Sequence, residues 1–373
     1  MFFIILISFL SGFYAAVLLW LLAGLQRLSS PTCDEKPFVS VIVAARNEEE
    51  NIQNVLHSLL DQSYAQDRYE IIIVNDQSTD RTADFVRALG NKRIRLLTTT
   101  NRDRVRSPKK NAVNLGVQSA RGEIILLTDA DCRPPRQWIN GLVEYFEPEV
   151  GMVIGFSPCE LPALSTVADY LLALESLSLA VVAAGTTGWG YAATCNGRNL
   201  AYRKKVYNQV GGFEKINRFV SGDDDLLLKL VQQTEWHIRY AYDRRLAVPT
   251  TLVKKLKHFA NQRLRHASKG FHYEIKKVIG LIAVYFYNLF VFLSFPLALF
   301  TPLSLWVPIL LVTIKAAFEL LVLYRFASKM GRLNYLWIFP LAELLHVPYV
   351  VIFGLAGPFA KFSWKNNSKG THD

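Results

Sequence analysis

The chain has 373 residues, 51% of them hydrophobic, and a formal net charge of +11. That length holds one large domain plus additional elements. The basic residues flank apolar segments and no nucleic-acid motif is present, so the charge is read as attraction to anionic lipid and no nucleic-acid partner is expected. Cys33, Cys132, Cys159 and Cys195 form no C-x-x-C pair, so neither a zinc site nor a disulfide framework is indicated, which suits a reducing compartment.

Phe2 to Leu25 contains no charged residue and is long enough to span a bilayer. Met1-Phe2-Phe3 lacks the basic start of a cleaved signal, so residues 1–26 are expected to stay as an anchor. Arg27 then orients the downstream chain toward the cytoplasm. From Phe38 strand and helix patterns alternate. Phe38 to Ala45 is apolar and β-branched and ends at Arg46-Asn47-Glu48. A helical stripe of Ile52, Val55, Leu56, Leu59 and Leu60 follows. Tyr69 to Val74 is a second buried-strand pattern, ending at Asn75-Asp76. A helix from about Thr82 to Leu89 and a short strand, Ile94 to Leu97, come next. Ala112 to Ala120 lies in another helix, and Glu123 to Leu127 is a further strand closing on Thr128-Asp129-Ala130-Asp131. The alternation predicts an α/β fold with a mostly parallel, doubly wound sheet. Ligands of such sheets bind beyond the carboxyl ends of the strands, where these polar clusters fall. Neighbouring carboxylates near a core call for a cation or metal. Oxygen ligands of this kind suit Mg²⁺ or Mn²⁺ held together with substrate phosphates.

Leu161 to Ala184 is apolar but carries Asp169 and Glu175, and it is read as too short and too polar for a span. A helix lying on a membrane surface and a plain core helix fit it equally. Val278 to Phe300, Leu303 to Tyr324 and Tyr335 to Ala360 are three candidate spans within residues 278–360. Lys276-Lys277 and the group Arg325, Lys329, Arg332 agree with the orientation set by Arg27. Lys361, Lys365 and Lys369 do not, if the third segment crosses once; Pro340, Pro348 and Pro358 inside it are consistent with a kinked or re-entrant path. Glu319, Glu343 and His346 are expected to contact either a lipid headgroup or neighbouring helices.

Six blocks in order across residues 37–270 carry a closer resemblance. Val39 to Ala45 with Arg46-Asn47-Glu48-Glu49 resembles the opening of a family-2 glycosyltransferase. Ile71 to Asp76 with Gln77-Ser78-Thr79-Asp80 resembles that family's second strand and acidic turn. Lys109 to Gly116, followed by Ala120-Arg121-Gly122-Glu123, resembles its lysine helix leading into the D-x-D. Cys195 to Lys204 is similar to its acceptor-side segment, Ser221-Gly222-Asp223-Asp224-Asp225-Leu226 to its catalytic acidic motif, and Gln262-Arg263-Leu264-Arg265-His266 to the Q-x-x-R-W of its membrane-bound members.

The resemblance implies a GT-A nucleotide-sugar domain flanked by transmembrane helices, with inverting transfer from a nucleoside diphosphate sugar. Ala45, Asn47, Glu48 and Asp76 would take the nucleotide, although Asp76 also fits a helix cap. Lys109, with Lys110 as a fallback, would face the diphosphate, and Asp131 with Asp129 would hold Mg²⁺ or Mn²⁺, Asp129 also reaching ribose. Asp223 aligns with the base position and Asp224 competes for it. Gln262 and Arg265 would close over the diphosphate, while Asn196, Asn199 and His266 would lie on the acceptor side. The sequence departs from the family at Asn75, Pro108, Gly222 and His266. His266 replaces a tryptophan that offers a growing polymer a stacking surface. The expected function is therefore a single transfer to a lipid or lipid-linked acceptor, on a multi-pass protein of the inner (plasma) membrane with its catalytic domain in the cytoplasm. A processive polysaccharide synthase and a non-enzymatic nucleotide-sugar-binding membrane protein are the alternatives.

Overall fold

The computed structural model describes residues 2–100, 107–219, 222–252, 275–300 and 304–356. In chain order the main elements are α1 (Phe2–Gln26), β1 (Val39–Ala45), α2 (Ile52–Leu60), β2 (Tyr69–Asn75), α3 (Thr82–Ala88), β3 (Ile94–Thr98), α4 (Pro108–Ser119) and β4 (Ile124–Asp129). They continue with α5 (Trp138–Val143), β5 (Val150–Gly155), α6 (Val167–Thr187), β6 (Leu200–Arg203), α7 (Lys204–Gln209), α8 (Asp225–Gln232) and β7 (His237–Ala241). Three long helices follow: α9 (Ile275–Phe300), α10 (Trp306–Met330) and, after a 3₁₀ stretch at Leu333–Ile338, α11 (Phe339–Ala356).

The strands form one seven-stranded sheet in the order β3-β2-β1-β4-β6-β5-β7. β1, β2, β3 and β4 run parallel, and β6 is antiparallel to both its neighbours. Apolar runs in β1, β2 and β4 are buried on both faces because helices cover both sides, the usual reason for continuous hydrophobic strands in parallel sheets. One face packs Ile42, Ile72, Val74 and Ile125 with α4, α6 and α8 residues, and the other packs Val41, Ile71 and Leu126 with α2 and α5 residues. Gly116 lets α4 lie close to the sheet, since a Cβ there would meet Ile42 Cγ2 at 2.6 Å. The register sets Ala45 beside Asn75 and Ala44 beside Asp129, so the carboxyl ends of β1, β2 and β4 open at one edge.

Among the described residues, five helical stretches are long and apolar enough to cross a membrane by length and composition, and four of them coincide with the expected spans. The fifth is α6, whose 21 residues correct the reading of this segment as too short. Its two acids are accounted for: Thr166 and Asp169 form a capping box, and Glu175 accepts from the Tyr349 hydroxyl of α11 at 3.2 Å. Yet α6 connects β5 to β6, which pair antiparallel (Met152 with Tyr202, Ile154 with Leu200). A single crossing would put paired strands on opposite sides of a membrane, so α6 stays on the side of the sheet. It packs against α1 through glycine: a Cβ on Gly24 would lie 1.9 Å from the Gly185 carbonyl oxygen. Beside this contact Trp20 and Trp189 stack at 5.7 Å, and the Arg27 guanidinium lies 4.3 Å over the Trp189 ring. α10 joins the sheet through Phe326, which meets Phe156 edge-on and stacks with Tyr242.

Candidate active site

The loops after β1 and β2 are tied together. Asn47 adopts a left-handed backbone (φ 51), a conformation asparagine tolerates better than most residues. Its backbone N–H donates to Ser78 Oγ at 3.1 Å, and its Oδ1 accepts from the Thr79 N–H at 2.8 Å. The Glu48 N–H donates to Thr82 Oγ1 at 2.8 Å. The Asp76 N–H donates to the Ala45 carbonyl at 2.9 Å, and the buried Asp76 carboxylate accepts from Thr99 Oγ1 at 2.9 Å. The structure thus brings Ala45, Asn47, Glu48 and Asp76 to one floor. The turn before α3 is closed by Asp80, whose Oδ1 accepts from the Thr82 N–H at 3.0 Å; Asp76 is not the helix cap.

The second part is an ion cluster. Lys109 stands in the first turn of α4, just after Pro108 at the position where a missing N–H costs nothing. Its Nζ donates to Asp129 Oδ1 at 3.0 Å and lies 3.2 Å from Asp223 Oδ2, with about a third of the lysine side chain exposed. Burial disfavours the charged lysine, but Asp129, Asp223 and Asp224 outweigh it and hold its pKa above the ordinary value. Burial, then the Asp129 charge, push the Asp131 carboxyl up. Asp131 Oδ2 lies 3.4 and 3.5 Å from the hydroxyl oxygens of Thr250 and Thr251. Two neighbouring hard carboxylate donors, one of them with its charge disfavoured by burial and by the other, fit a divalent cation.

The acidic triplet divides its work. Gly222 takes φ +89, and a Cβ there would meet the Leu226 side chain at 2.7 Å, so a residue with a side chain is strained at this position. Asp225 Oδ1 accepts from Thr194 Oγ1 at 2.8 Å and from the Cys195 N–H at 3.0 Å. Asp224 Oδ1 accepts from the Asp225 N–H at 2.7 Å, and its Oδ2 from the Gly197 N–H at 3.3 Å. Both acids therefore hold the segment 194–197, whereas Asp223 turns toward Lys109. Asn196 stays in that segment, its Oδ1 accepting from the Arg198 N–H at 3.1 Å.

Two expectations need correction. Asn199 does not face an acceptor: it is fully buried, donates to the Phe156 and Leu246 carbonyls at 2.8 and 2.9 Å, and accepts from Trp138 Nε1 at 2.9 Å. Lys110 is not a fallback for the diphosphate: its buried Nζ donates to the carbonyls of Ile216 (2.8 Å) and Phe219 (2.7 Å). Gln262, Arg265 and His266 lie outside the described residues. Sequence reasoning missed Asp225 as an anchor, although a third acid at the start of a helix was its visible signal.

Among the apolar helices, Glu319, Glu343 and His346 approach closely enough to suggest a metal site. The Lys315 ammonium sits among them instead, 2.8 Å from Glu319, 2.7 Å from Glu343 and 3.1 Å from His346 Nδ1, and Tyr14 donates to Glu319. Of the two readings of these residues, the contacts are those of helix-to-helix partners.

Residues 40–164 match the family described as Glycosyl transferase family 2, and residues 124–354 match Glycosyl transferase family group 2. The chain is 30% identical over 210 residues to "Probable glycosyltransferase YdaM" of Bacillus subtilis, across 55% of this chain and 49% of that protein. It is 28% identical over 208 residues to "Glycosyltransferase AglE" of Haloferax volcanii (56% and 65%) and 33% identical over 118 residues to the "Beta-monoglucosyldiacylglycerol synthase" of Nostoc (31% and 25%). The chain spans less than two thirds of the length of each of these relatives. Its fold matches a mannosyltransferase, PcManGT from Pyrobaculum calidifontis in complex with GDP-Man and Mn²⁺, with a TM-score of 0.54 at 20% identity, covering 92% of this chain and 98% of that one.

Proposed function

This chain belongs to the family-2 glycosyltransferases, and we propose that it transfers one sugar, with inversion, from a nucleoside diphosphate sugar to a lipid or lipid-linked acceptor at the cytoplasmic face of the membrane. The observation that carries the reading is Lys109, set between Asp129 and Asp223 at the carboxyl edge of the parallel strands. Asp76, with Ala45, Asn47 and Glu48, forms the nucleotide floor. A donor's diphosphate would compete with Asp129 and Asp223 for the Lys109 charge, and that cation stabilises the leaving group as negative charge builds. A divalent cation held by Asp131 and Asp129 supplies further neutralisation of the diphosphate when bound.

Asp223 is the proposed base. Asp224 and Asp225 accept backbone N–H bonds, whereas Asp223 accepts none among the described residues. The acceptor oxygen bonds to the anomeric carbon as the bond to the diphosphate breaks, and its proton passes to Asp223. The segment 194–198, braced by Asp224 and Asp225, forms the acceptor side. The likeness of Gln262-Arg263-Leu264-Arg265-His266 to the Q-x-x-R-W motif assigns Gln262 and Arg265 to the diphosphate, an arginine suiting bidentate phosphate contact, and His266 to the acceptor. The relative named as a glucosyldiacylglycerol synthase and the apolar helices support a lipid acceptor. With α1 and α9 to α11 as spans, the basic residues Arg27, Arg325 and Lys329 support a cytoplasmic sheet domain on a plasma-membrane protein.

The test is mass spectrometry of lipids from membranes containing the protein, incubated with a panel of nucleoside diphosphate sugars and Mn²⁺ or Mg²⁺. The expected product is a lipid heavier by one sugar, lost on chelation and in Asp223→Asn. A long polymer would refute single transfer, and an unchanged product in Asp223→Asn would refute the site.

A further inference from the structure

Lys109 and Lys110 are adjacent on α4 but serve different neighbours. Lys110 is only 1% exposed, and its ammonium donates to two backbone carbonyls, Ile216 at 2.8 Å and Phe219 at 2.7 Å. In sequence these carbonyls lie six and three residues before Gly222, which opens onto the acidic triplet. One turn further along the same face of α4, Asn114 Oδ1 accepts from the Tyr207 hydroxyl at 2.9 Å, and Tyr207 packs edge-on against Phe213. α4 therefore grips residues 207–219 at two points. A buried ammonium is costly to keep charged, and bonds to charged donors are the stronger kind. A side chain placed there for packing alone would need no charge. From the adjacent position on the helix, Lys109 reaches Asp129 and Asp223.

We infer that Lys110 is a positioning residue: it clamps the Ile216–Phe219 turn to α4 so that Asp223 is held at the reach of Lys109 and in register with the acceptor. The inference rests on the proposed role of Asp223. It assigns Lys110 no contact with substrate. A displacement of about 1 Å at a reacting group can slow a reaction about 100-fold, so losing the clamp should act on the transfer step rather than on donor affinity.

The test uses the full chain in lipid nanodiscs, with UDP and GDP as binding probes and UDP-glucose, UDP-N-acetylglucosamine and GDP-mannose as donors. Lys110→Met should lower kcat about 100-fold while the Kd of the better-bound nucleotide stays within about threefold. Lys110→Arg, which keeps charged donors, should recover much of the rate. Lys110→Gln keeps a neutral donor and serves if the methionine variant does not fold; hydrogen exchange at residues 216–226 should then quicken relative to the rest of the chain. A wild-type rate in Lys110→Met or, if that variant does not fold, in Lys110→Gln would overturn the inference while leaving Asp223 intact. Equal losses of nucleotide binding and rate would also overturn it, placing Lys110 in the donor site or the general fold. An active Asp223→Asn would instead sink the underlying site reading, whatever the Lys110 variants do.

Discussion

Among the described residues, two lysines sit between two carboxylates, and they differ in what surrounds them. Lys109 lies 3.0 Å from Asp129 and 3.2 Å from Asp223 at an open strand edge, with about a third of its side chain exposed. Lys315 lies 2.8 Å from Glu319 and 2.7 Å from Glu343 among apolar helices, with no exposure. A pair at an open edge can exchange partners with an incoming anion. A pair sealed in low dielectric is a fixed tie, because breaking it strands a charge. The same chemistry thus reads as a site in one place and as a strut in the other, and accessibility decides between them.

The largest stability effect is expected at the strut. Lys315→Met should destabilise the detergent-solubilised protein by about 3–5 kcal/mol, the cost of leaving buried partners uncompensated, read from its unfolding transition. An unchanged transition would break the comparison. Asn199→Ala comes next, at about 2–3 kcal/mol, because it strands the Phe156 and Leu246 carbonyls and Trp138 Nε1. Transfer per folded molecule should be retained, and its loss would return Asn199 to the acceptor side. Gly222→Ala should cost about 1–2 kcal/mol from its left-handed backbone, measured by denaturation, with a fall in transfer because Asp223 is its neighbour.

The smallest effect concerns pH. Burial alone would raise the Glu70 carboxyl, but the Arg121 N–H, Arg95 and Ser40 outweigh it and lower its pKa below 4.5. A carboxyl lowered by folding adds stability above its unfolded pKa and loses it as pH falls toward the folded value. Glu70→Gln should therefore cost more stability at pH 7 than at pH 3, by denaturation at both.

The parallel half of the sheet was legible because β1, β2 and β4 are continuous apolar runs ending in polar clusters. The other half was not. β6 has four residues inside a segment that draws attention for its polar groups, β5 begins and ends around Gly151 and Gly155, and β7 carries His237 and Arg239. Lys109, Asp129 and Asp223 were marked by their motifs, and the fold brings them together. Asn199 and Lys110 were misplaced because their partners lie 43 to 109 residues away in sequence, and only the fold shows which polar side chains are satisfied internally. The α6 segment reads as too short and too polar for a span, yet the helix is long and apolar enough to cross, and it is strand pairing that forbids it a single crossing.

We propose that transfer occurs at the open lysine–carboxylate cluster. Lys109→Met tests it most directly, with transfer and unfolding measured on the same nanodisc preparation. The account predicts a rate lowered about 100-fold or more, with an unfolding transition within about 1 kcal/mol of the wild type, since a preorganised charge at the leaving group is lost while a partly exposed ion pair adds little stability. A wild-type rate, or a protein destabilised as far as Lys315→Met, would contradict it.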